Sequence, residues 1–186
     1  MINDVEQLTM TELEGGMEYL RQSPRDQGVL KMIVRRPNVD EREVVVECEL
    51  DLEQGLAGDS WKVRGSSHTS DGSANINAQL TIMNSRVIAL LAQDEARWPL
   101  AGDQLYIDMD LSDDNIPPGT RLALGSAVIE VSAQPHSGCK KFSSRFGVDA
   151  IKFVNSPEGK QLHLRGINTK VIQAGTIRVG DALKKI

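Results

Sequence analysis

The chain has 186 residues, 40% of them apolar, with 26 acidic and 21 basic side chains, a formal charge of −5 and two cysteines. That apolar share excludes a disordered chain, no stretch approaches the ~20 uninterrupted apolar residues of a membrane span, and two cysteines cannot build a disulfide framework. The opening MINDVEQLTM lacks the basic start and apolar run of a secretory leader, so the expected compartment is a reducing cytoplasm, with no membrane partner.

Met10, Leu13, Met17 and Leu20 recur at helical spacing, with Thr11 and Glu14 placed for a capping box and Pro24 ending the pattern. This predicts a short amphipathic helix. Two strands are expected next, Leu30 to Val34 and Glu43 to Leu50, joined by a turn around Pro37, Asn38 and Asp40. Alternation in the second puts Val44, Val46, Cys48 and Leu50 on a core face and leaves Glu47 and Glu49 in water. From Gly55 to Asn77 the residues Gly, Ser, Asp and Asn prevail, which predicts a long surface loop of the kind that often carries function. A strand over Leu80 to Met83 leads to Asn84, the N-cap of a helix whose inner face carries Val87, Ile88, Leu91 and Ala92.

Further strands are expected at Leu105 to Met109, Arg121 to Leu124 and Ala127 to Val131, the last two forming a tight hairpin over Gly125 and Ser126. Cys139 to Phe146 reads as a short basic helix anchored by Phe142 and Phe146. Ala150 to Asn155 reads as another, stopped by Ser156 and Pro157. Gly166 to Gln173 and Asp181 to Ile186 look like closing strands. Many short strands, frequent turns and no βα alternation predict a mainly β (α+β) fold, a closed or nearly closed β-barrel with a few short peripheral helices.

Charge is distributed unevenly. Residues 1–135 hold 23 acidic and 11 basic side chains, whereas from His136 onward there are 10 basic and 3 acidic. The net acidity argues against a nucleic-acid partner, and the basic final part suits an anionic cofactor or small molecule.

The chemically densest stretch is Gln134-Pro135-His136-Ser137-Gly138-Cys139-Lys140-Lys141-Phe142. Cys139 follows a glycine at the start of a predicted helix, where backbone N–H groups, the helix dipole and the nearby Lys140, Lys141 and Arg145 favour a thiolate. Such a sulfur is suited to act as a nucleophile, as a carrier of a second sulfur or as a soft metal ligand. Cys48, on an alternating apolar strand, reads as a core residue. His136 is placed to orient a ligand or pair with the thiolate, and equally to serve a turn. The cases for His68 and His163 are weaker. One His and one Cys fall short of a zinc site, and glycine-rich nucleotide loops, the GxSxG elbow and HExxH are all missing.

In this segment the sequence resembles the MOSC domain, the C-terminal domain of molybdenum cofactor sulfurase, which also occurs as small free-standing bacterial proteins. The resemblance rests on GTRLALGSAVIEVS, PHSGCKKFSSRFGVDAIKFVNS and LRGINTKVIQAGTIRVGD, with GLAGDSW and INAQLTIMNSRV upstream. It spans residues 55–183 and implies one MOSC-like domain over 1–186, with an N-terminal helical extension over 1–25. It further implies a β-barrel whose exposed cysteine, here Cys139, carries persulfide sulfur or ligates the molybdenum of a bound molybdopterin.

The anionic cofactor would then be held by His136, Lys140, Lys141, Arg145 and Arg165. Asp59, Asn75, Asn77 and Gln79 fall where the family keeps polar residues around its pocket. Asp103, in LAGDQL, stands where many relatives have Asn. The sulfurase's pyridoxal-phosphate domain does not fit in this length, so that cofactor is not expected here, and sulfur loading would need a separate donor protein. Two other functions agree with the same residues: a small molybdenum-dependent oxidoreductase acting on N-hydroxylated compounds with an external electron donor, and a non-catalytic binding module.

Overall fold

The structure, a computed structural model, describes residues 5–186. Seven strands close a barrel: β1 (Gln27–Arg35), β5 (Leu80–Asn84), β6 (Leu105–Asp108), β7 (Arg121–Leu124), β8 (Ala127–Val131), β9 (Ile167–Gln173) and β11 (Ala182–Lys185). Around the ring the order is β11-β7-β8-β9-β5-β6-β1, and the β1–β11 pairing closes it in antiparallel register, Gln27 opposite Lys184 and Val29 opposite Ala182. β2 (Glu43–Val45) adds to the free edge of β1, while β3 (Glu47–Asp51), β4 (Gly55–Leu56) and β10 (Gly175–Arg178) form a separate small sheet. The expected barrel is therefore present. It contains one parallel pair, β5 and β6, with a helix over Ser85–Ala92 between them in the chain, so a single βα crossover exists where none was expected.

The helices are short: α1 (Met10–Gly15), α2 (Met17–Arg21), α3 (Trp61–Arg64), α4 (Ser85–Ala92), α5 (Lys140–Phe146), α6 (Val148–Val154) and α7 (Pro157–Gln161). None is long and apolar enough to cross a membrane. The N-terminal amphipathic segment breaks at Gly16, and its capping box is Thr9 with Glu12, two residues before the expected Thr11 and Glu14. Asn84 caps α4 as expected, accepting from the Arg86 N–H at 2.8 Å. Ser156 and Pro157 do stop α6, but they also start α7, with Ser156 accepting from the Gly159 N–H and Pro157 in the first turn, where its missing N–H costs nothing.

Two apolar clusters divide the core. The barrel interior holds Leu30, Ile33, Leu80, Ile82, Leu105, Ile107, Leu122 and Ile129, and the small sheet covers it with Cys48, Leu50 and Ile177. Outside β1, β5 and β6 a second cluster packs Met32, Val34, Met83 and Tyr106 against Leu13, Val87, Ile88, Phe142, Phe146 and Phe153 of the helices. Strand alternation produces this division, with one exception. In β1, Leu30 points inward and Met32 outward although they are two apart, because the register shifts between them against β6. One extra residue at that bulge flips the face of everything after it.

The same logic corrects the Glu43–Leu50 reading. The run is two strands in two sheets, broken at Val46, so Val44 and Val46 are 55% and 77% exposed while Cys48 and Leu50 remain buried. The stretch 55–77 is likewise more than a loop: β4 and α3 lie in it, and they bury Leu56 and Trp61.

Candidate functional site

The final turn before β6 organises the site. A 3-10 helix over Glu95–Ala101 ends at Gly102 in a left-handed conformation (φ 88°), and the end of such a helix leaves carbonyls without intrahelical partners. Four consecutive carbonyls here each accept from a different arginine. Pro99 O takes Arg42 Nε (3.1 Å), Leu100 O takes Arg145 Nη1 (2.7 Å), Ala101 O takes Arg165 Nη2 (3.0 Å) and Gly102 O takes Arg36 Nη1 (2.9 Å). The negative end of the helical dipole favours such cations. Arginines from just after β1, the β1–β2 connection, α5 and the segment before β9 thus meet on one turn.

Two carboxylates with no exposed side-chain surface balance the arginines. Asp59 grips Arg36 in a two-pronged pair, with Arg36 Nε on Oδ2 and Nη2 on Oδ1, both at 2.9 Å, and also accepts the backbone N–H groups of Arg36 and Trp61. Asp103 accepts Arg165 Nη1 on Oδ2 at 2.6 Å and faces His136 Nε2 across 2.8 Å from Oδ1. Burial alone would raise the Asp103 carboxyl, but Arg165 and His136 outweigh it and hold the group below its ordinary value. His136 is pushed down, chiefly by burial and then by Arg165, with Asp103 offsetting only part. Arg165 also lies over the Phe142 ring, 4.8 Å from its centroid.

On the outer side of this turn lies a cleft of about 370 Å³ lined by Arg36, Arg42, Arg64 and Lys141 together with Pro37, Asn38, Val39, Asp40, Ser60 and Val63. Among the described residues Asp40 is the one carboxylate that lines it. That residue takes a left-handed backbone (φ 61°) and receives Lys141 Nζ at 3.0 Å and Arg145 Nη2 at 3.1 Å, tying the β1–β2 connection to α5. Arg42 is held below its usual value by burial first, then by Arg145 and Arg36. Cation repulsion of this kind is relieved by a bound anion.

Cys139 is exposed and is the N-cap residue of α5; its side chain makes no cap hydrogen bond. Lys141, two residues on, lines the cationic cleft, while Ser137, two residues back, lines a second hollow of about 210 Å³ with His136 and Arg165. Cys139 itself lines neither. Cys48, by contrast, is buried; its thiol donates to Ala57 O at 3.3 Å and is raised by that burial.

The other residues singled out in the sequence are more dispersed. Lys140 is exposed. Asn75 caps the 3-10 turn Ile76–Ala78 by accepting the Asn77 N–H, and Asn77 points to solvent. Gln79 is buried, bonding Leu52 O and the Val171 N–H. Among the described residues no three His, Cys, Asp or Glu side chains gather closely enough to hold a metal ion. Arg36, Arg42 and Arg64 went unnoticed in the sequence because they lie in its acidic part. The only local hint was the Arg35-Arg36-Pro37 run beside an expected turn.

Comparison with known proteins agrees with this architecture. No curated protein sequence matches the chain. Among solved structures it is similar to YuaD from Bacillus subtilis, with a TM-score of 0.63 and 13% identity over 86% of this chain and 95% of that one. It is also similar to YiiM from Escherichia coli (TM-score 0.55, 20% identity, 85% and 69% covered) and YiiM from Geobacillus stearothermophilus (0.52, 14%, 86% and 73%). Identities this low establish a shared fold. The family model for the MOSC domain matches residues 68–184, from the loop before β5 through β11. With that match over most of its length, the chain belongs to the MOSC domain family.

Proposed function

We propose that this protein binds molybdenum cofactor in its cationic cleft and uses Cys139 as the reactive sulfur, either as a persulfide carrier or as the protein ligand to molybdenum. One observation carries this reading: an exposed thiol without a cap bond stands two residues before Lys141, which shares the cleft with Arg36, Arg42 and Arg64. MOSC domains are associated with this cofactor, and the donor set suits it. Four cations against one carboxylate fit an anion, and guanidinium groups match a phosphate by charge-assisted hydrogen bonds.

When bound, the cofactor supplies molybdenum and its redox or sulfur chemistry. Arg42, Arg64 and Lys141 hold the anionic group, Asp59 fixes Arg36, and Asp40 holds the cleft's edge against α5. As a carrier, the Cys139 thiolate attacks the terminal sulfur of a donor's persulfide. The new S–S bond forms on Cys139 as the donor's breaks, and the donor leaves as a thiolate. The donor is a separate protein, and the expected setting is cytoplasmic.

The test is metal analysis together with non-reducing intact mass, on wild type and Cys139→Ser from a host that makes the cofactor. Molybdenum present in wild type and lost in the variant supports ligation, and one reductant-removable sulfur on Cys139 without molybdenum supports the carrier. If neither appears, the proposal is wrong and a non-catalytic binding module is left in its place.

A further inference from the structure

The hollow of about 210 Å³ between Pro135 and Gly166 lies apart from the cationic cleft and is lined by His136, Ser137, Asn155, Lys160, His163 and Arg165; among the described residues no carboxylate lines it, although His163 Nε2 meets Asp113 at 3.1 Å. His136 is held there on two sides. Its Nε2 meets the fully buried Asp103 at 2.8 Å, and its Cδ2 edge lies against Gly166, where a Cβ would sit 3.2 Å from the ring and 2.3 Å from Ile82 O. Gly166, at φ 109°, is therefore the residue that lets the ring pack this close.

Proton bookkeeping fixes the tautomer. Asp103 is ionised and already accepts Arg165 on its other oxygen, so it has no proton to give, and the His136–Asp103 contact requires the proton on Nε2. In the neutral ring the lone pair is then on Nδ1. Among the described residues Nδ1 has no hydrogen-bond partner, and it is not among the atoms shut off from solvent, the ring being 17% exposed. Burial and Arg165 favour the neutral ring.

We infer that this hollow binds a small molecule presenting an N–H, O–H or S–H group, whose proton His136 Nδ1 accepts, and a carbonyl or anionic group, which Lys160 receives. Asp103 is the positioning residue: it accepts the Nε2 proton in a hydrogen bond and so orients the ring with its Nδ1 lone pair available for the ligand's hydrogen bond. The hollow shares no lining residue with the arginine-lined cleft, and Cys139 lines neither.

The experiment is long-range ¹H–¹⁵N NMR of the full-length chain, with His136→Gln identifying the His136 signals among the three histidines. The probes are acetamide, which carries N–H and C=O, and N,N-dimethylacetamide, which carries only C=O. Expected are an Nε2–H tautomer in wild type, a saturable shift of Nδ1 and of the Gly138 and Gly166 amides with acetamide, and loss of the amide response in His136→Gln. Dimethylacetamide leaves those signals in place. A proton on Nδ1, equal responses to the two amides, or no response to either overturns the inference. Molybdenum content does not enter the readout, so this inference and the cofactor proposal fail separately.

Discussion

The carboxylates of Asp59 and Asp103 are both fully shielded from solvent and both hold an arginine, yet their networks differ in kind. Asp59 is saturated within the protein: two guanidinium N–H groups and two backbone N–H groups use both oxygens. Asp103 spends one oxygen on Arg165 and the other on a histidine whose far nitrogen has no hydrogen-bond partner among the described residues. The first arrangement is closed and pins β1 to the turn before α3. The second opens onto a hollow. Buried polar networks stabilise when complete, and an incomplete one invites a ligand.

This contrast can be broken most violently at Asp59. Asp59→Ala leaves Arg36 charged and unpaired at a largely buried site, and we expect a loss of about 3–5 kcal/mol in urea denaturation. A loss below about 1 kcal/mol would mean that the pair contributes little beyond what solvent supplies. Asp103→Asn keeps the shape and an acceptor for Arg165, so a smaller loss of about 1–3 kcal/mol is expected, together with a change of the His136 tautomer in NMR.

A pH titration of stability sharpens the comparison. His136 and Asp103 both have depressed values in the folded protein, so each contributes stability that is complete above its unfolded value and is lost as pH falls. Stability should therefore decline below about pH 6.5 as the unfolded state takes up the histidine proton, and again below about pH 4 through Asp103, at up to about 1.4 kcal/mol per pH unit for each group. In His136→Gln the upper decline should vanish while the lower persists; an unchanged profile would remove His136 from the network.

The smallest effect is expected at the exposed thiol. Cys139→Ser should shift stability by no more than about 0.5 kcal/mol. In the native protein iodoacetamide should label Cys139 and spare Cys48, which is buried under the small sheet. Labelling of Cys48 at a comparable rate would show that the small sheet opens readily from the barrel.

Much of this molecule was legible in its local patterns. Phe142 and Phe146, four apart, are both buried under the helices, and Asn84 caps α4 as its position before an amphipathic run implied. The hairpin over Gly125 and Ser126 also forms where the turn residues place it. What escaped the reading was non-local. Val44 and Val46 alternate correctly with Cys48, but nothing local marks the change of sheet at Val46 that turns them outward. Arg36, Arg42, Arg145 and Arg165 are scattered through charges of both signs, and their meeting on carbonyls 99–102 depends on the barrel closing. Asp103 drew notice only as a departure from the family pattern, whereas in three dimensions it joins Arg165 to His136.

The seam between β1 and β11 also has a bearing on synthesis. Gln27 emerges from the ribosome long before Lys184, the residue it pairs with. Until then the Gln27–Val29 part of one β1 edge stays unpaired beyond the stretch that β2 covers, and an open edge is a template for pairing with other chains. The local elements can form early, but the ring closes only after residues 182–185 are free. Folding is thus bound to the translation of β11, and a chain cut before Ala182 would be a sheet with two sticky edges in place of a slightly shorter barrel.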